Sequence, residues 1–279
     1  MRVRALFSWM LARHSIYEQK AKGYAKPWTG DPILQQWRFC NVYRELDKET
    51  VAIKNLWRDP YRDEPDLWFA MVVARLVNWS PTLRELGYPA SRWNPEKFVK
   101  TIQGIQQRGG KAWGGAYIVS TNGESGDKAE YIAHKVLTPL WKDRKDLRPQ
   151  PHDTLGTFFH RLLPYNGMGT FIAAQVVADL KYVEPLSAAE DWWTFAASGP
   201  GSRRGLNRVF NAHPNTPWNT KRNWHAHLME LKKAIDPLIQ KAGLLPIHAQ
   251  DLQNCLCEFD KYERVRLGEG YPRARYPGV

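Results

Sequence analysis

With 279 residues, 43% of them hydrophobic, the chain can bury the core of one large or two small domains, which excludes pervasive disorder. Forty Lys and Arg against 28 Asp and Glu give a formal charge of +12, which favours a polyanionic partner, nucleic acid or an anionic membrane surface. Three cysteines (Cys40, Cys255, Cys257) are too few for a disulfide framework, a four-ligand zinc site or an iron–sulfur cluster. They fit a reducing cytoplasm, and neither a metal nor a cofactor is expected.

The N-terminal MRVRALFSWMLARHS has too short an apolar stretch, and no small-residue cleavage site, for a secretory signal. It predicts an amphipathic helix over Leu6–Lys22. No run of about 18 apolar residues follows anywhere, so no membrane span is expected. Pro27, Gly30, Asp31 and Pro32 predict a turn, with helices over Ile33–Leu46 and Glu49–Trp57. Asp66–Val77 is a strongly apolar helix. Ser80-Pro81 and Asn94-Pro95 each read as an N-cap followed by proline at the first helical position, the second helix running to about Arg108.

Gly109–Asp127 breaks the pattern. It is glycine-rich, with a β-like run at Tyr117–Ser120 and an Asn122-Gly123 turn, so a small hairpin near 115–125 or a loop both fit. Helix resumes over Lys128–Trp141, and Arg148–His152 reads as a linker. The chain is helical again from Leu155 through Leu180. A polar loop is expected at Gly199–Gly205, then helices over Asn223–Ala242 and Asp251–Arg266 and a basic tail. The expected fold is all-α. It would form one helical unit over 1–279, with the linker dividing lobes of about 1–147 and 153–279 around a base cleft.

The most specific feature is Leu163-Pro164-Tyr165-Asn166-Gly167-Met168-Gly169-Thr170 between two helical patterns. Gly167 and Gly169 allow a tight hairpin that leaves backbone N–H groups and the positive dipole end at the start of the next helix, where a phosphate can sit. An ordinary tight turn has the same signature. Asp191 follows 22 residues after Gly169, in Glu190-Asp191-Trp192-Trp193. This arrangement resembles the helix-hairpin-helix DNA glycosylases, in which a G-x-G hairpin precedes a catalytic aspartate at about this spacing. The resemblance implies that Asp191 stabilises positive charge on a sugar as its base departs; a helix cap at Trp192 is the plainer reading. Glycosylases that also cut the strand carry Lys just after the hairpin. Here those positions are Thr170 and Phe171, which implies monofunctional chemistry.

Three further clusters bear on binding. Asn41, Arg44 and Asp47, three apart on an expected helix, could read a base edge, or Arg44 and Asp47 could form a local ion pair. Arg203 and Arg204, in GPGSRRG, suit an anion nest. Lys261 and Arg264, in CLCEFDKYERVR, could track a DNA backbone or lie on a solvated face. Tyr117, Asp127 and Trp192 are candidate pocket residues, Asp127 also reading as the cap of the helix from Lys128.

Taken together, FCNVYRELD, LPYNGMGTFIAAQVVADL, GPGSRRGLNR and LCEFDKYERVRLGEG resemble the helical domain of phage 5-hydroxymethyluracil DNA kinases. That domain belongs to the α-glutamyl/putrescinyl thymine pyrophosphorylase group, itself related to DNA glycosylases. The resemblance covers about Leu6 to Tyr276. It implies a glycosylase-like helical fold, a monomer, and DNA containing modified bases as the partner. Two reactions then compete: excision of a modified pyrimidine, assisted by Asp191, or displacement of a phosphorylated 5-methyl substituent by an amine. A non-catalytic module for modified DNA is a third option. The chain carries no P-loop, so kinase chemistry is not expected of it. An excision enzyme for bulky phage bases would suit antiphage defence.

Overall fold

The computed structural model describes residues 1–115, 121 and 123–275. Its helices are α1 (Val3–Ala21), α2 (Pro32–Gln36), α3 (Lys48–Ile53), α4 (Leu67–Val77), α5 (Ser80–Leu86), α6 (Pro95–Gln107) and α7 (Lys128–Glu130). They continue with α8 (Thr138–Lys142), α9 (Arg144–Leu147), α10 (Leu155–Leu162), α11 (Thr170–Leu180), α12 (Pro200–Val209), α13 (Trp224–Lys241) and α14 (Ala249–Arg266). Wider π turns extend α3 over Lys54–Arg58 and join α7 to α8 over Tyr131–Leu137. Among the described residues the only β pairing is one antiparallel bridge between Trp37 and Arg275. The fold is all-α, as expected. No helix of the described residues is long and apolar enough to cross a membrane.

Many helix starts are set by short polar side chains that satisfy first-turn N–H groups. Asn94 caps α6 through Lys97 N at 2.7 Å, Thr154 caps α10 through Thr157 N at 2.9 Å, and Asn223 caps α13 through Ala226 N at 2.9 Å. His248 caps α14, Asp251 N donating to its Nδ1 at 3.2 Å. Asp31 caps α2, but the helix expected over Ile33–Leu46 ends at Gln36. From Trp37 the chain is extended, because the Trp37 bridge and the Arg38 N–H to Ala274 carbonyl bond (3.1 Å) tie it to the C-terminal segment. Only one 3-10 turn, Arg44–Leu46, recovers helical geometry.

The chain forms two compact units, one of Met1–Asp47 with Trp193–Val279 and one of Lys48–Trp192. The compact units therefore part at different places from the expected lobes. The expected linker lies inside the second unit, where Arg148 makes a bidentate bond to Asp66 at 2.8 and 3.0 Å. The core of the first unit joins Leu6, Trp9, Met10 and Ile16 of α1 to Leu228, Leu231 and Ile235 of α13 and to Leu252, Leu256 and Phe259 of α14. In the second unit every residue of α4 is buried, which is what its unbroken apolar run requires.

The polar loop expected at Gly199–Gly205 is instead the start of α12. Pro200 sits in its first turn, where a missing N–H costs nothing, and Ser202 Oγ accepts from Gly199 N at 3.0 Å. Gly201 and Gly205, one helical turn apart, face α14. A Cβ on Gly205 would lie 2.0 Å from the Leu256 carbonyl oxygen, and one on Gly201 would lie 2.4 Å from Cys257 Sγ. These glycines let two helix backbones approach where any side chain would hold them apart. Gly205→Ala is therefore expected to destabilise the protein by about 2–4 kcal/mol, since backbone cannot yield as a flexible side chain does. Urea unfolding monitored by tryptophan fluorescence measures it; a change under about 0.5 kcal/mol would refute the tight α12–α14 contact.

Candidate functional site

The second unit holds the helical hairpin formed by α10 and α11. Gly167 has φ of +75°, and a Cβ there would lie 2.8 Å from both Val136 methyls. The turn thus needs glycine twice over, for its left-handed backbone and for its closeness to the π turn. Met168 between the glycines is fully buried and its N–H donates to the Tyr165 carbonyl at 3.0 Å. Tyr131 Oη donates to Asn166 Oδ1 at 3.0 Å and Tyr165 Oη to Asp143 Oδ2 at 2.8 Å. Gly169 and Thr170 are exposed. Gly169 is the N-cap of α11 and has no side chain to cap with, and the intrahelical bonds begin with Ala173 N to Gly169 O at 3.1 Å.

Asp191 stands at the other end of the hairpin. Its carboxylate accepts from Leu155 N at 2.7 Å and Gly156 N at 2.9 Å. It caps α10 rather than a helix beginning at Trp192, and the two bonds fix its position and plane at the positive end of the helix dipole. The eight residues of α10 span about 12 Å at about 1.5 Å each, which sets the separation between Asp191 and the glycine turn.

Trp192, next in the chain, is locked reciprocally to the end of α11. Lys181 Nζ donates to the Trp192 carbonyl at 2.7 Å and lies 3.8 Å from the indole centroid, while Trp192 Nε1 donates to the Lys181 carbonyl at 2.6 Å. Lys181 is fully buried. Two residues earlier, Asp179 takes Arg75 of α4 in a bidentate pair, Nε at 2.5 Å and Nη2 to the other oxygen, with both side chains 1% exposed. Arg75 Nη2 also donates to Thr50 Oγ1 at 3.1 Å. Arg75 and Asp179 escape sequence reasoning because each sits in an apolar helical run that reads as plain core, and Lys181 because it directly follows one.

The remaining candidates of the second unit divide. Asp127 caps α7, accepting from Ala129 N at 2.8 Å and Glu130 N at 3.1 Å. Tyr117 and most of the expected hairpin near 115–125 lie outside the described residues. What is described there includes a turn, Glu124 N donating to the Thr121 carbonyl at 3.0 Å.

In the first unit FCNVYRELD and the α14 motif come together. Asn41 N donates to Asp47 Oδ1 at 2.9 Å and Asn41 Nδ2 to the Leu46 carbonyl at 2.7 Å, while Arg13 Nη2 donates to Asn41 Oδ1 at 2.7 Å. Cys40 N reaches Glu258 Oε2 at 2.9 Å and Arg44 N reaches Asp251 Oδ1 at 3.0 Å. Asn41 and Asp47 therefore close a loop against each other instead of sharing a helix face. Lys261 pairs with Glu258 at 2.6 Å. Burial alone would lower the Lys261 ammonium, but the Glu258 carboxylate outweighs it and holds its pKa above the ordinary value. Burial drives the Cys40 and Cys255 thiols well above the usual range, so neither suits nucleophilic work.

Arg204 and Arg264 converge with Arg208 on one carboxylate. Their Nε atoms stand 3.1, 3.4 and 2.7 Å from Asp260, which is buried. Arg203 is exposed and donates to Ser198 Oγ at 3.1 and 2.9 Å. Among the described residues no group of three or more His, Cys, Asp or Glu is arranged to hold a metal ion.

These features define an all-helical protein with a glycine-turn hairpin beside an anchored carboxylate and a second helical unit packed on buried ion pairs. The chain belongs to the family described as "5-hmdU DNA kinase, helical domain", which it matches over residues 1–271. A 5-hmdU DNA kinase of Bacillus phage SP10 is 24% identical over 215 residues, 70% of this chain and 34% of that protein. The chain thus spans about a third of the length of the curated relative it matches. No solved structure matches it.

Two outcomes test this geometry. Asp191→Ala removes both bonds to the first turn of α10, leaving only the Thr154 cap, and should cost about 1 kcal/mol in urea unfolding, whereas Asp191→Asn keeps one acceptor oxygen and should cost less. Equal losses from both would refute the capping role. The second concerns Asp47, whose carboxyl burial pushes up to about 6 against the Asn41 N–H and the charges of Arg44 and Arg13. A carboxyl raised above its unfolded value (about 3.9) takes up a proton more readily when folded. Asp47 therefore weakens the fold above about pH 6, and the penalty fades as pH falls toward the unfolded value. Asp47→Asn should gain stability relative to the parent as pH rises through that window. A constant difference across it would show that Asp47 is not raised.

Proposed function

We propose that this chain acts on DNA carrying a modified pyrimidine of the 5-hydroxymethyluracil kind and removes the base. The substrate class rests on the family and on the name of the phage relative. The observation that carries the chemistry is the Asp191 carboxylate, fixed by two backbone N–H groups at 2.7 and 2.9 Å at the opposite end of α10 from the glycine turn. In this reading the turn takes a backbone phosphate on the first-turn N–H groups of α11. The roughly 12 Å length of α10 covers about three nucleotide steps of about 3.4 Å, so a target nucleotide a short way along the strand meets Asp191.

An N-glycosidic bond buried in a duplex is out of reach, so the nucleotide is flipped into the protein, with Trp192, Asp127 and Tyr117 as candidate pocket residues. As the C1′–N1 bond breaks, its electron pair leaves with the base and the sugar becomes oxocarbenium-like. Asp191 stabilises that positive charge. Water adds at C1′, its proton ends on the departing base, and an abasic site remains. Thr170 and Phe171 supply no amine after the turn, so no Schiff base forms and the strand stays intact. Arg203, Arg204, Lys261 and Arg264 contribute positive potential toward the DNA backbone, Arg203 most directly because it is the exposed one.

The name of the relative, a kinase, favours one other reading, in which an amine displaces a phosphorylated group from the 5-methyl carbon and the glycosidic bond survives. One experiment separates the two. The purified chain is incubated with DNA containing 5-hydroxymethyluracil or its phosphorylated and hypermodified derivatives. Excision predicts free base and alkali-labile sites, and a loss of rate of about 10²–10³-fold in Asp191→Asn, which removes the charge and keeps one of the two amide bonds to α10. Intact glycosidic bonds with an altered base mass would instead support transfer. No change in either the DNA or the base would overturn both.

A further inference from the structure

The first unit carries a second basic region that the hairpin and Asp191 do not use. Residues 20–28, KAKGYAKPW, alternate cations with aromatics at the end of α1, and the structure folds them onto themselves. Lys20 Nζ and Lys26 Nζ lie 5.1 and 5.5 Å from the Trp28 ring centroid, and Trp28 Nε1 donates to the Tyr24 carbonyl at 2.7 Å. The C-terminal segment brings a matching set. The Trp37–Arg275 bridge and the Arg38 N–H to Ala274 carbonyl bond seat it beside the extended strand after α2. There Arg275 lies 4.5 Å over the Trp37 ring and Tyr271 stacks on Trp37 with centroids 5.5 Å apart.

These cations crowd one another. The Lys20 ammonium is held below its usual range, first by burial and then by the positive charges of Arg13, Arg38 and Lys26. Like charges held together at a surface favour a partner that brings negative charge. Exposed rings among them, Tyr271 at 69% and Tyr24 at 58%, favour one that also offers flat faces to stack on. A single strand of nucleic acid has both, whereas a duplex hides its base faces and an acidic peptide lacks them.

We infer that Lys20, Lys26, Arg38 and Arg275, with Tyr24 and Tyr271, form a binding surface for an unpaired nucleic-acid strand. It does not depend on excision chemistry. Such a surface would hold a strand already opened or displaced.

The test measures binding of the full chain to a fluorescent single-stranded oligothymidylate and to a duplex of equal length across a salt series. The parent should prefer the single strand. The triple variant K20E/K26E/R275E should bind it at least tenfold more weakly, with a salt slope shallower by about two, as expected for three lost contacts. Tyr271→Ala should weaken binding about fivefold or more while leaving the salt slope unchanged, the mark of a stacking ring. Asp191→Asn should bind as the parent does, so failure of the excision reading leaves this result standing. Circular dichroism confirms that each variant is folded. Tyr271→Ala without effect, together with inorganic polyphosphate competing as well as the strand, would overturn the inference in favour of a general anion surface. Equal binding of the duplex, unaffected by the triple variant, would overturn it outright.

Discussion

At the centre of the second unit a guanidinium and a carboxylate face each other almost without solvent. Arg75 and Asp179 are each 1% exposed, and removing either would strand the other charge, at a cost of about 3–5 kcal/mol. Their pairing binds α4 to α11 and sets where α11 ends. There Lys181 and Trp192 exchange hydrogen bonds, and the next residue back, Asp191, caps α10. The path from Arg75 to Asp191 therefore closes the open end of the hairpin, as Gly167 against Val136 closes its turn. A ligand site built on both ends would inherit fixed geometry from elements that have little room to move.

The first unit solves a different problem, packing an arginine-rich chain without self-repulsion. Asp260 takes three guanidinium groups, and Glu258 and Asp251 receive the N–H groups of Cys40 and Arg44. These acids line the buried side of α14, so part of the positive charge counted in the sequence is neutralised inside. What is left for partners is the excess at the surface.

Much of the helical pattern could be read from residue order because the local signals agree with the fold. The apolar run of α4 and the Asn94-Pro95 cap of α6 show this. The segment after Asp31 could not, since its helical spacing is overridden by pairing with residues some 240 positions away, between Trp37 and Arg275. GPGSRRG misleads for the opposite reason. Glycine and proline suggest a loop, yet Pro200 opens a helix and the glycines meet α14 backbone. Their spacing of four was the available signal. The hairpin turn at Gly167 and Gly169 was legible from motif and spacing. That Asp191 grips α10, and that Asn41 and Asp47 clasp each other, depends on long-range placement that periodicity does not encode.

The cap on α10 has one more consequence. Because Asp191 is held by the first amides of a short helix, its placement can be no more durable than that helix end. Fraying of a single turn would release the carboxylate while both cores stay intact. Heat or denaturant should then free the Asp191 carboxylate before the protein as a whole unfolds, and the gap between the two midpoints would report the local stability of one helix terminus.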